Sequence, residues 1–301
     1  MADLDEAVFD RADVRTLIEL AVEEDLGPSK GAAGDVTARL LPANATAAGG
    51  VVVRTPGVLA GLPLARRILA RIAPGATLEA RAKDGDAIAA GQVVAHIRGP
   101  AREVLAAERT LLNALQRLSG VATATRRLVD AVAGTGASIL DTRKTTPGWR
   151  ALEKYAVRAG GGENHRVGLY DMVLIKDNHL AVLGGEPGIP KAIARAREVA
   201  RDVRVECEVT TLEGALAASQ AGADIVLLDN FDVPRLRDAV EALRSDSARR
   251  HVVAPLLEAS GGITLETVRA VAETGVDRIS TGSMTHSAKS LDIALDFEIA
   301  T

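Results

Sequence analysis

Arg143, Lys144, His165, Arg166 and Lys176 all fall within one stretch of the chain, DTRKTTPGWRALEKYAVRAGGGENHRVGLYDMVLIKDNH, residues 141 to 179. Arg143-Lys144 and His165-Arg166 are adjacent pairs on either side of Gly160, Gly161 and Gly162, and Lys176 ends an apolar run. A packed core has no use for so many cations at strand ends, whereas a site for a ligand with several negative charges does. His165 has a plainer reading as a satisfied loop histidine; its place after GGGEN and before Arg166 favours an anion. His179, after KDN, reads as a group that caps or orients the Lys176 loop, and His96 and His251 read as structural.

These groups need a scaffold that brings strand ends together. From residue 138 onward, short β-rich runs (SILDT, DMVLIK, RVECEV, DIVLLD, PLLEAS, DRIST) alternate with helical patterns near 148–159, 188–201, 212–221, 233–244, 264–274 and 286–296. Strand then helix, repeated, predicts a parallel sheet. Six or more such units with nearly continuous apolar strands favour a closed β/α barrel over an open sheet. A doubly wound sheet stays open as an alternative, although no glycine-rich dinucleotide fingerprint is present. In a barrel the active site lies at the C-terminal ends of the strands. Those ends hold Arg143 and Lys144, then Lys176, Glu208, Asp229, Ser260-Gly261-Gly262 and Gly282.

Strand parity adds direction. In VECEV, Glu206 and Glu208 share one face while Val205, Cys207 and Val209 take the other. The apolar face should meet the helices, so both glutamates are expected to point into the barrel, where a buried carboxylate needs a lysine or a metal ion as partner. Asp229 ends the next strand and should stand beside Glu208. Two carboxylates facing lysines suit Mg²⁺ shared with a phosphate ligand, or else a structural Lys–Glu pair. SGGI at 260–263 and TGSMTH at 281–286 read as glycine turns that open helices and offer backbone N–H groups to phosphate. His286 is expected to begin the last helix, near the second of these turns.

The earlier part of the chain reads differently. A helix is expected over 11–25, with Val14, Leu17, Ile18 and Ala21 on one face, ended by Gly27 and Pro28. Strand-like runs follow at 49–60 and 77–98, with a short helix between them. KDGDAIAAGQVVAHI resembles the hairpin of lipoyl or biotinyl carrier domains but lacks their turn lysine, so it reads as a plain β-hairpin. Residues 101–118 form a helix with an apolar stripe from Val104 to Leu118; Gly120 is expected to break it, with a second helix running to about 133. Arg109 sits at the stripe's edge, as a snorkelling arginine would.

Composition narrows the function classes. The chain has 301 residues, 47% of them hydrophobic, enough for one large domain or two ordinary ones. A net charge of −4 and 2% aromatic residues argue against a nucleic-acid binder and against a base-stacking platform. The one cysteine, Cys207, reads as a buried, inert thiol. The acidic N-terminus lacks a signal-peptide pattern and no apolar run is long enough to span a membrane, so a cytoplasmic protein is expected.

Taken together, GDVT, ERTLLNALQRLSGVAT, DTRKTTPG, GGGENHR, IKDNH, CEV, LLDNF, EASGGI and STGSMTHSAKSLD resemble the quinolinate phosphoribosyltransferases over nearly the whole chain. The resemblance implies an N-terminal α/β sandwich, placed at 1–134 with dimerisation helices, and an incomplete seven-stranded α/β barrel of TIM-like type at 135–301, whose C-terminal helix packs back on the first domain. It implies transfer of phosphoribosyl from phosphoribosyl pyrophosphate to quinolinate with loss of CO₂ and with Mg²⁺. It also implies a homodimer in which Arg109 enters the neighbouring subunit's site. By the same resemblance Arg109, Arg143, His165 and Arg166 hold the two carboxylates of quinolinate, assisted by Lys144 and Lys176. Glu208 and Asp229 face the ribose and Mg²⁺, and Lys144, Lys176, Glu208 and Asp229 are the catalytic candidates. Ser260, Gly261, Gly262, Gly282 and His286 match the 5′-phosphate turns. The rivals are a sister phosphoribosyltransferase with another acceptor and a non-catalytic sensor of a phosphoribosyl ligand.

Overall fold

The protein is described here by a computed structural model over residues 4–28 and 31–298. Along the chain run α1 (Ala12–Leu26), β1 (Thr46–Val53), β2 (Gly57–Val58), α2 (Leu62–Ile72), β3 (Thr77–Ala80), β4 (Ala87–Ile88), β5 (Val93–Pro100) and α3 (Ala101–Ala131). Next come β6 (Ser138–Leu140), α4 (Arg150–Ala159), β7 (Val173–Ile175), α5 (Asp177–Leu183), α6 (Ile189–Val199), β8 (Val205–Val209), α7 (Leu212–Gln220) and β9 (Ile225–Asp229). The chain ends with α8 (Val233–Arg249), β10 (Leu256–Ser260), α9 (Val268–Ala272), β11 (Arg278–Ser280), α10 (Ser283–His286) and β12 (Ile293–Phe297). Two compact units form: 1–126 with 145–161 and 284–301, and 127–144 with 162–283. Among the described residues no helix is long and apolar enough to cross a membrane.

The first unit is built on an antiparallel sheet in the order β12-β1-β5-β3. Its helices obey the apolar stripes of the sequence: Val14, Ile18, Val22 and Leu26 are the buried face of α1. In α3, Leu111, Leu112, Leu115 and Leu118 are each at most 2% exposed, and burying a leucine fully contributes about 1.5–3 kcal/mol. Asp84 caps α2 from a distance. Its carboxylate accepts the Gly61 N–H at 2.7 Å and the Leu62 N–H at 3.1 Å, two groups that the start of a helix leaves without partners, and the Tyr155 hydroxyl at 2.8 Å.

Three expectations are corrected in this unit. The helix from 101 does not stop at Gly120 but continues to Ala131. A Cβ at Gly120 would lie 2.2 Å from the Lys289 carbonyl oxygen, so this glycine permits a close approach of distant chain instead of breaking a helix. The 83–97 segment is not a hairpin: β4 pairs with β2, while β5 lies between β1 and β3. The last segment, expected as a helix over 286–296, is the strand β12, paired along β1 from Gly49↔Phe297 to Val53↔Ile293. Alternating burial of Ile293 and Leu295 serves that pairing.

In the second unit six strands form a parallel sheet in the order β6-β11-β10-β9-β8-β7. Ile225, Val226, Leu228, Leu257, Ala259 and Ile279 are at most 1% exposed, as expected of strands covered on both faces. The seventh strand of the barrel is reduced to one parallel bridge, Leu140↔Glu163. There the Asp141 N–H donates to the Glu163 carbonyl at 3.1 Å and the Glu163 N–H to the Ile139 carbonyl at 2.8 Å. No ladder joins Glu163 to β7 among the described residues, so the barrel is incomplete.

Candidate active site

The C-terminal ends of the parallel strands surround a cavity of about 590 Å³. After β6 come Arg143 and Lys144; after β7, Lys176; at the end of β8, Glu208; at the end of β9, Asp229; at the end of β10, Ser260, followed by Gly261 and Gly262. His165 and Arg166 reach the same cavity from the GGGENHR loop. Parallel register brings these groups level: Ser260 pairs with Asp229 and with Ser280 across β10, and Glu208 pairs with Leu227.

Arg143, Lys144, Arg166 and Lys176 therefore converge on one space. Burial and then the charge of Arg143 pull the pKa of Arg166 below its ordinary value. Like charges gathered on one cavity make a positive field that suits an anionic ligand. Lys176 is partly compensated, its Nζ standing 2.5 Å from Glu208 Oε2. The loop that carries Lys176 is fixed by His179, whose Nδ1 accepts the Lys176 backbone N–H at 2.9 Å, as the sequence reading expected. Glu208 is only 13% exposed, and Asp229 accepts a hydrogen bond from the Asn230 side-chain amide at 2.7 Å.

Behind this face lies a buried quartet. Glu206, on the same side of β8 as Glu208, has Oε2 3.1 Å from His165 Nε2, and Glu258 of β10 has Oε1 3.2 Å from that nitrogen. The second oxygen of Glu258 stands 3.1 Å from Arg278 Nε. Both glutamate side chains are fully buried. Burial favours the neutral acid in each. In Glu206 burial wins and the pKa is raised; in Glu258 the contacts with His165 and Arg278 overcome it and the pKa is lowered. Burial alone would depress the His165 pKa, but the two carboxylates outweigh it and raise the value to about 9. His165 Nδ1 accepts the Arg166 backbone N–H at 2.8 Å, a contact that a doubly protonated ring could not make, so the ring carries its hydrogen on Nε2.

Ser260 leads into Gly261 and Gly262, both left-handed at φ 97° and 61°. A Cβ on Gly261 would lie 2.3 Å from Asn230 Oδ1, and Asn230 is itself left-handed at φ 57°. Gly261→Ala is expected to cost about 1–3 kcal/mol by forcing this paired turn apart, visible as a lower denaturation midpoint; an unchanged midpoint would show that the turn yields. The glycines do not open a helix directly, since α9 starts only at Val268.

The structure groups ten of the predicted site residues around this cavity and leaves three elsewhere. Gly282 is buried between β11 and α10 and is not among the lining residues, where Ser280 takes its place. His286 ends the four-residue α10 instead of beginning a long helix, and its Nδ1 lies 2.6 Å from the Ser287 hydroxyl. Arg109 belongs to the first unit, where it is exposed, makes no hydrogen bond or ion pair among the described residues, and lines a cavity of about 270 Å³ with Asp25, Asn113 and Trp149. Sequence reasoning passed over Asp141, Asn230, Glu258 and Arg278. Asp141 is fully buried and accepts the His165 N–H at 2.8 Å. A charged residue inside an apolar strand, the signal that exposed Glu206, was equally present at Glu258 in PLLEAS. Cys207 is fully buried, and burial with the nearby glutamates pushes its thiol up to about 12, so it stays protonated.

Comparison with known proteins agrees with this arrangement. The sequence profile of the quinolinate phosphoribosyl transferase N-terminal domain matches residues 35–119, and that of the C-terminal domain matches 121–296. The chain is 43% identical over 298 residues to the nicotinate-nucleotide pyrophosphorylase [carboxylating] of Mycobacterium leprae, covering 97% of this chain and 99% of that protein. It is 41% identical over 278 residues to the probable enzyme of the same name from Bacillus subtilis, covering 92% of this chain and 91% of that one. The solved structure of the nicotinate-nucleotide pyrophosphorylase from Francisella tularensis superposes with a TM-score of 0.88 at 35% identity, covering 99% of this chain and all of that one. With both domain profiles matched in order and the strand-end residues gathered in one cavity, the chain belongs to the quinolinate phosphoribosyl transferase family.

Proposed function

We propose that this chain is a carboxylating nicotinate-nucleotide pyrophosphorylase of de novo NAD biosynthesis. It transfers the phosphoribosyl group of phosphoribosyl pyrophosphate to quinolinate and releases pyrophosphate and CO₂, leaving nicotinate mononucleotide. The observation that carries the reading is the convergence of Arg143, Lys144, Arg166 and Lys176 on one cavity, with Glu208 and Asp229 on adjacent strand ends. Guanidinium groups pair with carboxylates through two parallel hydrogen bonds, so Arg143 and Arg166 suit the dianion of quinolinate. Lys144 and Lys176 add charge beside them. Ser260, Gly261 and Gly262 offer a turn of backbone N–H groups for the 5′-phosphate.

Glu208 and Asp229 fit Mg²⁺: they present only oxygen donors, they face an open cavity, and such an ion is commonly held by one or two carboxylates together with substrate phosphates and water. Bound there, Mg²⁺ would neutralise charge on the departing pyrophosphate. The same carboxylates stabilise the positive charge that develops on the ribose as its bond to pyrophosphate lengthens. The cavity walls hold the pyridine nitrogen on the opposite face of the sugar, and this positioning supplies much of the rate. Once the ring nitrogen is quaternary, its charge stabilises the carbanion left by loss of CO₂, which takes up a proton from solvent to complete nicotinate mononucleotide.

The working form is proposed to be a cytoplasmic homodimer in which Arg109 completes the neighbouring subunit's site. An exposed arginine with no partner of its own among the described residues supports that role. Arg109→Ala should raise the KM for quinolinate by about tenfold or more, the loss of a hydrogen-bonded charge, with circular dichroism and dimer mass unchanged. Wild-type quinolinate affinity in that variant would remove Arg109 from the site. The direct test of the whole reading is release of labelled CO₂ from carboxyl-labelled quinolinate. Release that requires phosphoribosyl pyrophosphate and Mg²⁺ is the expected result. Binding of phosphoribosyl pyrophosphate without any turnover would indicate a sensor, and pyrophosphate release with a different acceptor a sister transferase.

A further inference from the structure

Both nitrogens of His165 are engaged inside the protein. Nε2 lies 3.1 Å from Glu206 Oε2 and 3.2 Å from Glu258 Oε1. Nδ1 accepts the Arg166 backbone N–H at 2.8 Å. The backbone N–H of His165 is held by Asp141 Oδ1, also at 2.8 Å. The ring therefore lines the cavity without a ring nitrogen left for a ligand. Two fully buried carboxylates converge on one nitrogen, and taking each out of water costs several kcal/mol, offset here by the contacts with His165 and Arg278.

The geometry fixes an order of constraint. Nδ1 must keep its lone pair to accept the Arg166 N–H, so the ring hydrogen sits on Nε2, the nitrogen that two carboxylate oxygens approach at 3.1 and 3.2 Å. Buried negative charge beside Nε2 favours that same tautomer, the one that leaves Nδ1 free to accept. Arg166 is buried except where it meets the cavity, with Nη1 3.4 Å from the Met172 carbonyl. We propose that Glu206 and Glu258 are positioning residues for the dicarboxylate ligand: they lock His165 in its Nε2–H form, and through Nδ1 the ring anchors the backbone of Arg166 and so directs its guanidinium. The inference rests on the quinolinate reading given above. The three ligand atoms also lie within 4.8 Å of one another, a spacing a divalent metal would accept. Arg278, 3.1 Å from Glu258, already supplies the balancing positive charge and would face such an ion.

Glu258 bridges His165 and Arg278 through its two oxygens. An amide in its place must turn its NH₂ toward one of two N–H donors, so Glu258→Gln breaks one contact whichever way it sits. The expected result is a KM for quinolinate raised by about tenfold or more, with the KM for phosphoribosyl pyrophosphate within about twofold of wild type, since uniform binding of only one substrate is lost. Glu206→Gln keeps an acceptor at Nε2 and should retain most of the quinolinate affinity that Glu206→Leu loses. Long-range ¹H–¹⁵N spectra of histidine-labelled protein, with the His165 signal assigned by its loss in His165→Gln, should show a fixed Nε2–H ring in wild type and an averaged one in Glu258→Gln.

A fixed ring and wild-type quinolinate KM in Glu258→Gln would overturn the proposal. So would equal losses for both substrates tracking a fall in denaturation midpoint, which marks a merely structural ion pair. If Glu258→Gln does not fold, the Glu206 pair decides: equal quinolinate KM in Glu206→Gln and Glu206→Leu overturns it. Failure of the wild type to release CO₂ would count against the quinolinate reading instead, and the ring spectra would still decide whether the glutamates fix His165.

Discussion

Glu208→Ala should lower kcat by about 10²–10³-fold, the loss seen when a preorganised charge is removed from a transition state, without a matching rise in the KM for quinolinate. The carboxylate stands at the end of β8, 13% exposed, with Lys176 Nζ at 2.5 Å. In the ground state it opposes the dianion of quinolinate. In the transition state it faces the positive charge developing on the ribose. Removing it frees Lys176 in a cavity that already holds Arg143, Lys144 and Arg166, so ground-state affinity for quinolinate should hold or improve while the chemical step slows. An interaction made only in the transition state lowers kcat and kcat/KM together. Steady-state kinetics with each substrate varied would check this, and a kcat within about threefold of wild type would take Glu208 out of the chemistry.

Glu153→Ala is expected to produce the largest loss of stability, about 3–5 kcal/mol, because it strips a buried ion pair of one partner. Glu153 lies in α4 and is fully buried. Its Oε1 accepts Arg117 Nε at 3.1 Å and Nη2 at 2.6 Å, together with the Thr146 hydroxyl at 2.9 Å; its Oε2 accepts the Thr146 N–H at 3.1 Å. Arg117 in turn donates to the Thr285 and Ala288 carbonyls at 2.5 and 3.1 Å. One carboxylate thus ties α3, α4 and the segment before β12 within the first unit. Alanine leaves the guanidinium, only 23% exposed, without its counter-charge. Total stability is typically about 5–15 kcal/mol, so the urea midpoint of the variant should fall by a large fraction of its wild-type value. A loss under about 1 kcal/mol, the worth of an ordinary hydrogen bond, would mean that water takes the place of the carboxylate.

The strand-and-helix alternation after residue 138 was legible because each strand is buried on both faces and each helix on one, so local hydrophobicity reports local geometry. Parity alone placed Glu206 and Glu208 on the inner side of β8, since a strand's side chains alternate whatever surrounds them. Basic and acidic groups at the ends of apolar runs were readable for a similar reason: parallel strands end on one rim. Other features depended on distant chain. Gly120 looked like a break because only the approach of Lys289 gives it a purpose. The stretch 293–297 carried no decisive period, and pairing with β1 made it a strand. β4 found β2 instead of its neighbour β5 for the same kind of reason. The seventh strand shrank to the bridge at Glu163.

The chemistry divides along the same line. By itself the sequence determined which charged groups sit at strand ends, the sign of the ligand they await, and the family whose motifs they form. The tertiary structure alone decided that His165, Glu206, Glu258 and Arg278 meet, because they come from the GGGENHR loop, β8, β10 and β11, and only the register of the parallel sheet sets their spacing. Periodicity reports which face a side chain takes; a contact between elements far apart in the chain is fixed by how the sheet closes, and no local pattern encodes it.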